Sequence, residues 1–382
     1  MRICLYTETA LPKLGGQELV IDALARQYLA LGHEPTVLAP YPRKLHVADH
    51  LLPYRVERHP RFYSTHLFVA WYRRYLLKLH QRLGFDIVHC HGIYPSMYLA
   101  SLVKDELGVP IVVTSHGGDV YADNVRLKKK VIETRCVESL RAADALIAIS
   151  RFTHDGFARL CPEAAHRIID IPNGVNLAEF DTPSTTLPQG IPNLPSGGYA
   201  VFLGRLKYRK GVDVLLHALA RSAETCDATL AIVGDGEERP YLELLCDQLG
   251  ITDRVRFLGK LSGAAKNNVL QNARFAVVPS RQSEAFGLVV LESFASGLPV
   301  IASDMPGLAD LIQPNKTGLL VPPEDDEQLS DALTRLFTND ALVARMREQA
   351  KAAVRPYDWR LVAERHLALY ANLQSPRLAA AA

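Results

Sequence analysis

The chain has 382 residues, enough for two domains that each bury a core of their own. Hydrophobic residues make up 48% of the sequence and charged residues 22%, the proportions of an ordinary globular protein. The 43 Lys and Arg residues nearly balance the 41 Asp and Glu residues, which argues against a polyelectrolyte such as nucleic acid as the partner.

The six cysteines are scattered without a Cys-x-x-Cys pair, which favours reduced thiols in the core over a disulfide framework or a zinc site. They are Cys4, Cys90, Cys136, Cys161, Cys226 and Cys246. The sequence enters a strand at once, leaving no room for a signal peptide, and no apolar run approaches the ~20 residues of a membrane span. We therefore expect a cytoplasmic protein, at most peripheral on the inner face of a membrane.

The first half of the chain alternates short apolar runs with amphipathic segments, which predicts strands and helices in turn. The predicted strands are Ile3–Thr7, Pro35–Ala39, Asp86–Cys90, Ile111–Ser115, Ala145–Ile149 and Arg167–Ile171. A loop with Gly15 and Gly16 joins the first strand to a helix at Glu18–Ala25, a unit whose helix N-terminus accepts phosphate. The G-x-G-x-x-G fingerprint is missing from the whole chain, which argues against a nicotinamide enzyme. Strands separated by helices predict a parallel sheet with right-handed crossovers.

Residues 67–82 mix aromatic and basic side chains. From His50 to Phe85 there are seven Lys or Arg residues and one acid, Glu57, and a second basic run follows at Arg126–Lys130. A helix that is basic on one side and aromatic-apolar on the other can lie on an anionic membrane. The alternative is an ordinary amphipathic helix with a solvated basic face.

A segment rich in Pro and Gly at residues 181–198 cannot form a packed element and predicts a linker between two domains, 1–180 and 199–355. After it the alternation restarts. The predicted strands there are Tyr199–Leu203, Thr229–Val233, Val255–Leu258, Phe275–Val278 and Val300–Ala302, and the helices between them include Gly211–Leu219 and Tyr241–Leu249. A last helix from Trp359 to Asn372 follows the break at Pro356, with a frayed tail after it.

Basic side chains follow the first strand of the second domain, in the loop Gly204–Gly211. Loops at the carboxyl ends of parallel strands line the ligand crevice of such sheets. There Arg205 offers a planar fork for phosphate and Lys210 a point charge. Gly234 ends a neighbouring strand on the same rim, where backbone could meet a nucleotide base. A solvated basic loop is the alternative if this loop is taken alone.

Two glutamates, Glu284 and Glu292, flank the start of a helix predicted after Phe286. Eight residues apart, they would lie about 12 Å from each other along the helix axis. The first free N–H groups of that helix lie between them and suit an anion. A ligand with hydroxyls at both ends and phosphate in the middle, such as a nucleotide-sugar, fits this arrangement. The alternative is a chance Glu-x7-Glu spacing.

Histidines mark two strand ends in the first domain. His116 precedes two glycines, which permit close backbone approach and favour a site role over a satisfied core histidine. Asp119 follows them, and an N-cap explains it equally well. His89 and His91 lie on one strand face and could suggest metal, but no third ligand is near, so we interpret them as structural.

Taken together, the motifs resemble the retaining nucleotide-sugar glycosyltransferases of glycosyltransferase family 4, and the resemblance covers nearly the whole chain. It is carried by Gly15-Gly16, Ser115–Asp119, Pro172–Asn176, the Gly204–Gly211 loop, Glu284-x7-Glu292 and the helix Trp359–Tyr370. One departure is Asn176, where the family usually has Asp. The resemblance implies the GT-B fold, with two facing doubly wound Rossmann-like domains and a C-terminal helix, within residues 356–382, that returns to the first domain.

The resemblance also implies an activity: transfer of a hexose, with retention, from a UDP- or GDP-type sugar to a hydroxyl of a glycan or lipid-linked glycan. No cofactor or metal is implied. Glu284 would hold hexose hydroxyls and Glu292 the ribose, while Arg205 and Lys210 would bind the diphosphate and His116 would lie beside the transferred sugar. The implied catalytic residues are His116, Glu284, Arg205 and Lys210. The implied donor-binding residues are Gly15, Gly16, Arg205, Lys210, Gly234, Glu284, Phe286, Gly287, Leu288 and Glu292.

Two alternatives remain open at this point. One is a sugar-nucleotide epimerase of the same fold, which product analysis without an acceptor would separate from a transferase. The other is a catalytically silent protein that binds sugar nucleotides. The intact set of Arg205, Lys210, Glu284 and Glu292 argues against the silent protein, and slow donor hydrolysis by the pure chain would exclude it.

Overall fold

A computed structural model gives the architecture, and the chain divides into two compact units, Met1–Asn173 with Trp359–Ala382, and Gly174–Asp358. The residues that the structure describes are 1–13, 15–42, 48–61, 68–121, 124, 127–181, 194–195, 198–222, 228–282 and 284–381, with backbone only from 376.

The described part of the first unit contains a seven-stranded parallel sheet. Its strands are β1 (Arg2–Thr7), β2 (Glu34–Pro40), β3 (Arg55–His59), β4 (Ile87–His91), β5 (Ile111–Ser115), β6 (Ala145–Ala148) and β7 (Ile168–Asp170). Its helices are α1 (Gly16–Ala30), α2 (Val69–Leu83), α3 (Tyr98–Ser101), α4 (Lys104–Leu107), α5 (Lys130–Ala142) and α6 (Arg151–Leu160). The strand order β3-β2-β1-β4-β5-β6-β7 reverses between β1 and β4, so a crevice opens beyond the carboxyl ends of these two strands.

The described part of the second unit contains a six-stranded parallel sheet. Its strands are β8 (Tyr199–Leu203), β9 (Thr229–Val233), β10 (Val255–Gly259), β11 (Phe275–Val278), β12 (Val300–Ser303) and β13 (Gly318–Val321). Its helices are α7 (Val212–Arg221), α8 (Arg239–Gln248), α9 (Gly263–Asn272), α10 (Leu288–Ala295), α11 (Asp326–Thr338) and α12 (Asp340–Val354). The order β10-β9-β8-β11-β12-β13 reverses between β8 and β11. Most strands of this sheet are nearly continuous apolar runs, and these runs are buried because helices cover both faces of a parallel sheet.

The C-terminal helix α13 (Trp359–Ala381) belongs to the first unit. The hydroxyl of Tyr370 lies 3.0 Å from that of Tyr28 on α1 and 2.6 Å from Nδ1 of His89 on β4. Gln374 Nε2 donates to the carbonyl of Asp86 at 2.9 Å. Buried hydrogen bonds therefore fix this helix to both α1 and the sheet. The predicted fold class, with two doubly wound sheets and a returning helix, is confirmed.

Several predicted boundaries were wrong. The strands β3 and β13 were missed. The sequence of β3 (Arg-Val-Glu-Arg-His) is mostly polar and lacks the apolar run of a buried strand. The units divide after Asn173 and not after residue 180, because residues 174–180 contact α9 of the second unit. There Asn267 Nδ2 donates to the carbonyl oxygen of Glu179 at 2.9 Å. Most of the predicted linker, residues 182–193 and 196–197, lies outside the described residues. The helix α13 continues past Asn372 to Ala381.

The cysteines that the structure describes are free and buried, and Cys226 lies outside that part of the chain. Among the described residues, no helix combines the length and apolarity needed to span a membrane.

Candidate functional site

The loop after β8 is held to the loop after β9 by backbone contacts. The N–H of Gly204 donates to Val233 O at 2.9 Å. The N–H of Leu206 donates to Asp235 O at 3.1 Å. Gly234 has a φ of +143°, and a Cβ there would lie 1.8 Å from the carbonyl oxygen of Gly204. Backbone packing within the unit thus requires a glycine at position 234. This packing explains the glycine without the contact to a nucleotide base that the sequence suggested.

Lys210 and Glu284 face each other at the carboxyl ends of β8 and β11. Lys210 ends a short 3₁₀ helix at Tyr208–Lys210, and its Nζ donates to Oε1 of Glu284. The same oxygen accepts from Ser280 Oγ at 3.0 Å and lies 3.5 Å from Arg209 Nη1. The side chains of Lys210 and Glu284 are only 16% and 14% exposed, so the contact is well shielded from water. One carboxylate oxygen therefore receives three polar contacts.

Arg281 links the loop of Lys210 to the loop of Glu284. Its guanidinium bonds both carboxylate oxygens of Asp213, with Nη2 at 2.6 Å, and its Nε bonds Glu324 at 2.7 Å. The guanidinium also lies 4.3 Å from the ring centroid of Tyr208, while the Arg281 N–H donates to Arg209 O at 2.9 Å. Hydrogen bonding to Asp213 raises the pKa of Arg281 further above its ordinary value. This side chain was missed from the sequence because its partner lies 68 residues away.

Glu292 has a cationic partner of its own. Its Oε1 lies 2.7 Å from Nζ of Lys266 on α9, and that ammonium lies 5.9 Å from the ring centroid of Phe180. The side chains of Lys266 and Glu292 are 16% and 25% exposed. Lys266 was also missed, because α9 is far from α10 along the chain. The two glutamates, Glu284 and Glu292, are thus each paired with one lysine.

The start of α10 lies between the two glutamates. Its N-cap is Gly287, with a φ of +89° and no side-chain cap, and the helix begins at Leu288. Phe286 is 5% exposed and anchors the loop in the core. The first N–H groups of a helix have no intrahelical acceptor, so they remain able to bind an anion.

Arg205 projects from the loop after β8 as an exposed side chain, and within the described residues it forms no ion pair. Lys207 in the same loop is paired with Glu237, with 3.1 Å between Nζ and Oε1. The guanidinium of Arg205, unlike the ammonium groups of Lys207 and Lys210, therefore remains available to bind a phosphate.

In the first unit, α1 begins at the carboxyl ends of β1 and β4. Gly15 is the N-cap and Gly16 the first helical residue. The side-chain amide of Gln17 donates to Thr7 Oγ1 at 3.2 Å and to His91 O at 3.0 Å. The helix N-terminus is thereby fixed at the crevice where the strand order reverses.

A buried carboxylate lies in the first turn of α1. Glu18 is 4% exposed and accepts from Thr9 Oγ1 at 2.5 Å, and its carboxylate lies 3.0 Å from Lys13 Nζ. Burial acts to raise its pKa, but the hydrogen bond from Thr9 and the charge of Lys13 outweigh burial, so the pKa of Glu18 is lowered. Glu18 is thus ionised at neutral pH beside the glycine loop.

His116 lies at the end of β5, partly exposed, with its Nε2 2.9 Å from Nδ1 of His91. Burial lowers the pKa of His116 to about 4, against the opposing charge of Glu18. His116 is therefore a neutral imidazole at neutral pH.

Asp119 is not the N-cap residue of a helix that follows it, which corrects the alternative drawn from the sequence; its carboxylate instead binds the first N–H of the short helix Ile93–Met97. Its Oδ2 accepts from the N–H of Ile93 at 2.8 Å, and its Oδ1 accepts from Ser115 Oγ. Burial raises its pKa. The carboxyl group joins the loops after β4 and β5 and acts as a structural residue.

The histidines of β4 take part in hydrogen bonds. His89 Nε2 lies 2.7 Å from Thr114 Oγ1, and its Nδ1 is bonded to Tyr370. In the part of the chain that the structure describes, no group of three or more His, Cys, Asp or Glu side chains has the geometry of a metal site. The pair His89 and His91 is thus accounted for by structural contacts.

The helix α2 contains most of the basic-aromatic stretch, of which Leu67 lies outside the described residues, as does Arg126 of the second basic run. Its apolar side is committed to the core. The residues of α2 buried there are Tyr72, Leu76 and Leu79. Trp71 stacks on Tyr75, with ring centroids 5.0 Å apart. The exposed side of the helix carries the basic residues Arg73, Arg74 and Lys78.

The predicted site residues fall into two groups. In the second unit, Lys210 and Glu284 are in contact, and Arg205, Gly287 and Glu292 belong to the adjoining loop and helix. In the first unit, Gly15 and Gly16 start α1 beside the strand end that carries the backbone of His91, and His91 bonds His116.

Known proteins match both halves of the chain. Residues 190–353 match the family model described as glycosyl transferases group 1, and residues 14–179 match that of glycosyltransferase family 4. A phosphatidyl-myo-inositol mannosyltransferase of Mycobacterium leprae is 31% identical over 390 residues, covering 97% of this chain and 96% of the relative.

Two solved structures share the architecture. The Anabaena protein HepE, solved in complex with UDP, has a TM-score of 0.81 at 19% identity and covers 97% of this chain and 100% of its own. The sucrose-phosphate synthase of Thermosynechococcus elongatus has a TM-score of 0.76 at 23% identity and covers 98% of this chain and 100% of its own. At these identities the likeness shows the GT-B fold alone.

Proposed function

The chain belongs to the group 1 glycosyltransferases, in the family 4 branch, and we propose that it transfers a hexose from a nucleoside diphosphate sugar to a hydroxyl acceptor with retention of configuration. The observation that carries this proposal is the pairing of Lys210 with Glu284 and of Lys266 with Glu292 on either side of the α10 N-terminus. Two carboxylates, an uncapped helix start and nearby cations match the hydroxyls and the diphosphate of such a donor.

The leaving diphosphate is the first part of the proposed mechanism. As the bond to the sugar breaks, negative charge develops on the diphosphate oxygens. Lys210, Arg205 and the N–H groups at the start of α10 would stabilise that charge, and such contacts are worth roughly 3–4 kcal/mol each in a water-excluded site. Lys210 would leave Glu284 and contact a phosphate oxygen when the donor binds. Its positive charge would thus be beside the diphosphate before the reaction begins.

The two glutamates would hold the two ends of the donor. When Lys210 turns to phosphate, Glu284 keeps Ser280 and Arg209 as partners and can accept from hexose hydroxyls. Glu292 would accept from the ribose hydroxyls with Lys266 beside it. By analogy with the family, we assign Glu284 as a hydrogen-bond acceptor and not as a nucleophile.

The first unit is proposed as the acceptor side. His116 would lie beside the transferred sugar, and the N-terminus of α1, at Gly15 and Gly16, would contribute N–H groups toward phosphate. The unit Met1–Asn173 with Trp359–Ala382 would thus bind the acceptor, and the unit Gly174–Asp358 the donor.

Relatives guide the choice of donor and acceptor. HepE has been solved with UDP-glucose, and one relative is named for phosphatidyl-myo-inositol. We therefore propose a UDP- or GDP-type donor and a glycan or lipid-linked acceptor.

Peripheral membrane contact through residues 67–82 is part of the proposal, in an electrostatic form. The exposed side chains of Arg74 and Lys78 on α2 have no ion-pair partner among the described residues. They would attract anionic lipid at low salt. The double variant R74E/K78E should lose sedimentation with anionic vesicles, while the control R345E, an exposed charge on α12, should keep it. Equal sedimentation of wild type and both variants would show that Arg74 and Lys78 do not bind the membrane.

The experiment that tests the function is a screen of nucleotide-sugars for thermal stabilisation, followed by product analysis with and without acceptor. A ligand present at about 100 times its Kd adds about 2.7 kcal/mol to the free energy of unfolding. We expect stabilisation by at least one UDP- or GDP-sugar and transfer of its hexose. Conversion of the donor without acceptor into an isomeric sugar nucleotide would instead identify an epimerase.

A further inference from the structure

Two imidazoles at the carboxyl ends of β4 and β5 are in direct contact. Nδ1 of His91 lies 2.9 Å from Nε2 of His116, and the rings stack with 17° between their planes and 5.2 Å between their centroids. His91 is 1% exposed. Its other nitrogen, Nε2, is buried and has no hydrogen-bond partner among the described residues.

Both rings are neutral at neutral pH. Burial lowers the pKa of His91 well below 6.5, and the neighbouring histidines lower it further, while burial lowers the pKa of His116 to about 4. A neutral imidazole has one N–H donor and one bare acceptor nitrogen. One ring must therefore donate in this contact and the other must accept.

The unpaired Nε2 of His91 decides which ring donates. If Nε2 carried the proton, a buried N–H would have no acceptor, and such orphaned donors are rarer in proteins than unpaired acceptors. With the proton on Nδ1, His91 donates to Nε2 of His116. His116 must then carry its own proton at Nδ1, an atom with no partner among the described residues.

We propose that His91 is a positioning residue that fixes His116 as the Nδ1–H tautomer, which makes His116 a hydrogen-bond donor toward the transferred sugar. The inference rests on the proposed function, in which His116 lies beside that sugar. It specifies the chemistry of the contact: an oxygen of the substrate accepts from His116. The opposite tautomer would leave a bare Nδ1, which could only accept.

The ring of His91 is held by a second layer of contacts. His89 lies against it, with 4.2 Å between the ring centroids. His89 is itself fixed at both nitrogens, by Thr114 at 2.7 Å and by Tyr370 of α13 at 2.6 Å. Rotation of His91 is thereby hindered, and α13 contributes to the orientation of His116 within the first unit.

The test is nuclear magnetic resonance on protein with isotope-labelled histidine, which reports which ring nitrogen carries hydrogen. H116Q assigns the His116 signals by their loss. We expect wild-type His116 to be protonated at Nδ1. H91N places an amide donor near the position of Nδ1 and should keep this tautomer. H91L offers no donor and should release it.

The kinetic arm compares the same two variants. H91L should lower kcat by about tenfold, the effect of one neutral hydrogen bond, with donor Kd unchanged. H91N should restore most of the loss, a rescue that a purely space-filling role for His91 would not predict.

Two results would overturn the inference. One is a wild-type His116 protonated at Nε2, and the wild-type spectrum gives this result even if H91L does not fold. The other is a folded H91L with unchanged tautomer and unchanged kcat. Because the spectra require no substrate, failure of the proposed glycosyl transfer would be seen separately, as absent turnover in a protein whose tautomer is as assigned.

Discussion

Lys210 and Glu284 form an ion pair between the loops that follow β8 and β11, the neighbouring strands at which the order of the second sheet reverses. We propose that both side chains bind the donor, so the ion pair between them must break when the donor binds. Lys210 would turn to the diphosphate and Glu284 to the hexose hydroxyls. In the proposed site the pair would thus hold both groups in position before the donor binds.

Removal of the cations should slow the reaction without unfolding the protein. R205A and K210A should each lower turnover by about 100-fold or more, because a charged partner of the leaving group is lost. The matched control is K207A, a lysine of the same loop that is paired with Glu237 and should retain turnover. Steady-state kinetics on the folded variants checks this. Near-normal turnover in both R205A and K210A would contradict the phosphate assignment.

The two glutamates should differ in their kinetic effects. In the proposed site Glu284 would lie beside the breaking bond, and its contacts would strengthen as charge builds on the sugar, so E284Q should lower kcat more than donor affinity. Glu292 would lie at the ribose end and contribute uniform binding, so E292Q should raise the donor KM while kcat falls less. Purely KM effects of equal size from both variants would refute this division. Trapping of a covalent sugar on Glu284 with a slow donor analogue would overturn its assignment as an acceptor.

Arg281 should affect catalysis through the loop that it holds. R281K keeps the charge but loses the bidentate bond to Asp213 and the planar stack on Tyr208. Lys210 should then be less well positioned, and the donor KM should rise by about tenfold. E324Q is the control, because Glu324 is 59% exposed and its contact with Arg281 is screened by solvent. Donor kinetics that are the same for R281K as for wild type, in a folded protein, would show that the loop does not need this arginine.

Much of this architecture could be predicted from the sequence, because parallel strands buried on both faces have continuous apolar runs. Strands such as Tyr199–Leu203 and Phe275–Val278 were predicted at their observed bounds. The polar strand β3 lacks that signal, so the pattern missed it. The helix start at Leu288 could be placed because Gly287 interrupts the apolar sequence beside it.

The site was predictable in part. Residues in local motifs, such as Lys210 and Glu292, could be found because they follow predicted strands or flank a predicted helix. Their partners could not, because Lys266 and Arg281 meet them only through the tertiary fold. The close contact of Gly234 with the carbonyl of Gly204 could not be predicted either, because the sequence does not show which carbonyl a glycine approaches.

Stability should fall as the pH is lowered below about 6.5. Burial lowers the pKa of His366 to about 3, and that of His59 and of His116 to about 4. Between these values and 6.5 the unfolded chain binds more protons than the folded chain, so the free energy of unfolding decreases as pH falls through this window. Each unit of pKa difference corresponds to about 1.4 kcal/mol.

The variant H366N isolates one of these groups. Asparagine can keep a polar contact with Tyr28, at the position of the His366 Nδ1, but cannot titrate. Urea unfolding at about pH 7 and about pH 5 should show a smaller loss of stability for H366N than for wild type. The same loss in both proteins would mean that His366 does not contribute to the acid sensitivity.

The most direct measurement of the central claim is calorimetric titration of the chain with UDP and GDP, for wild type, K210A, E292Q and the control K207A. We expect wild type and K207A to bind at least one of the two nucleotides. E292Q should bind it more weakly, because the ribose contact is reduced. K210A should bind it about 100-fold more weakly, because a charge-assisted phosphate contact is lost. Binding of equal strength in all four proteins would contradict a donor site built around Lys210, Glu284 and Glu292.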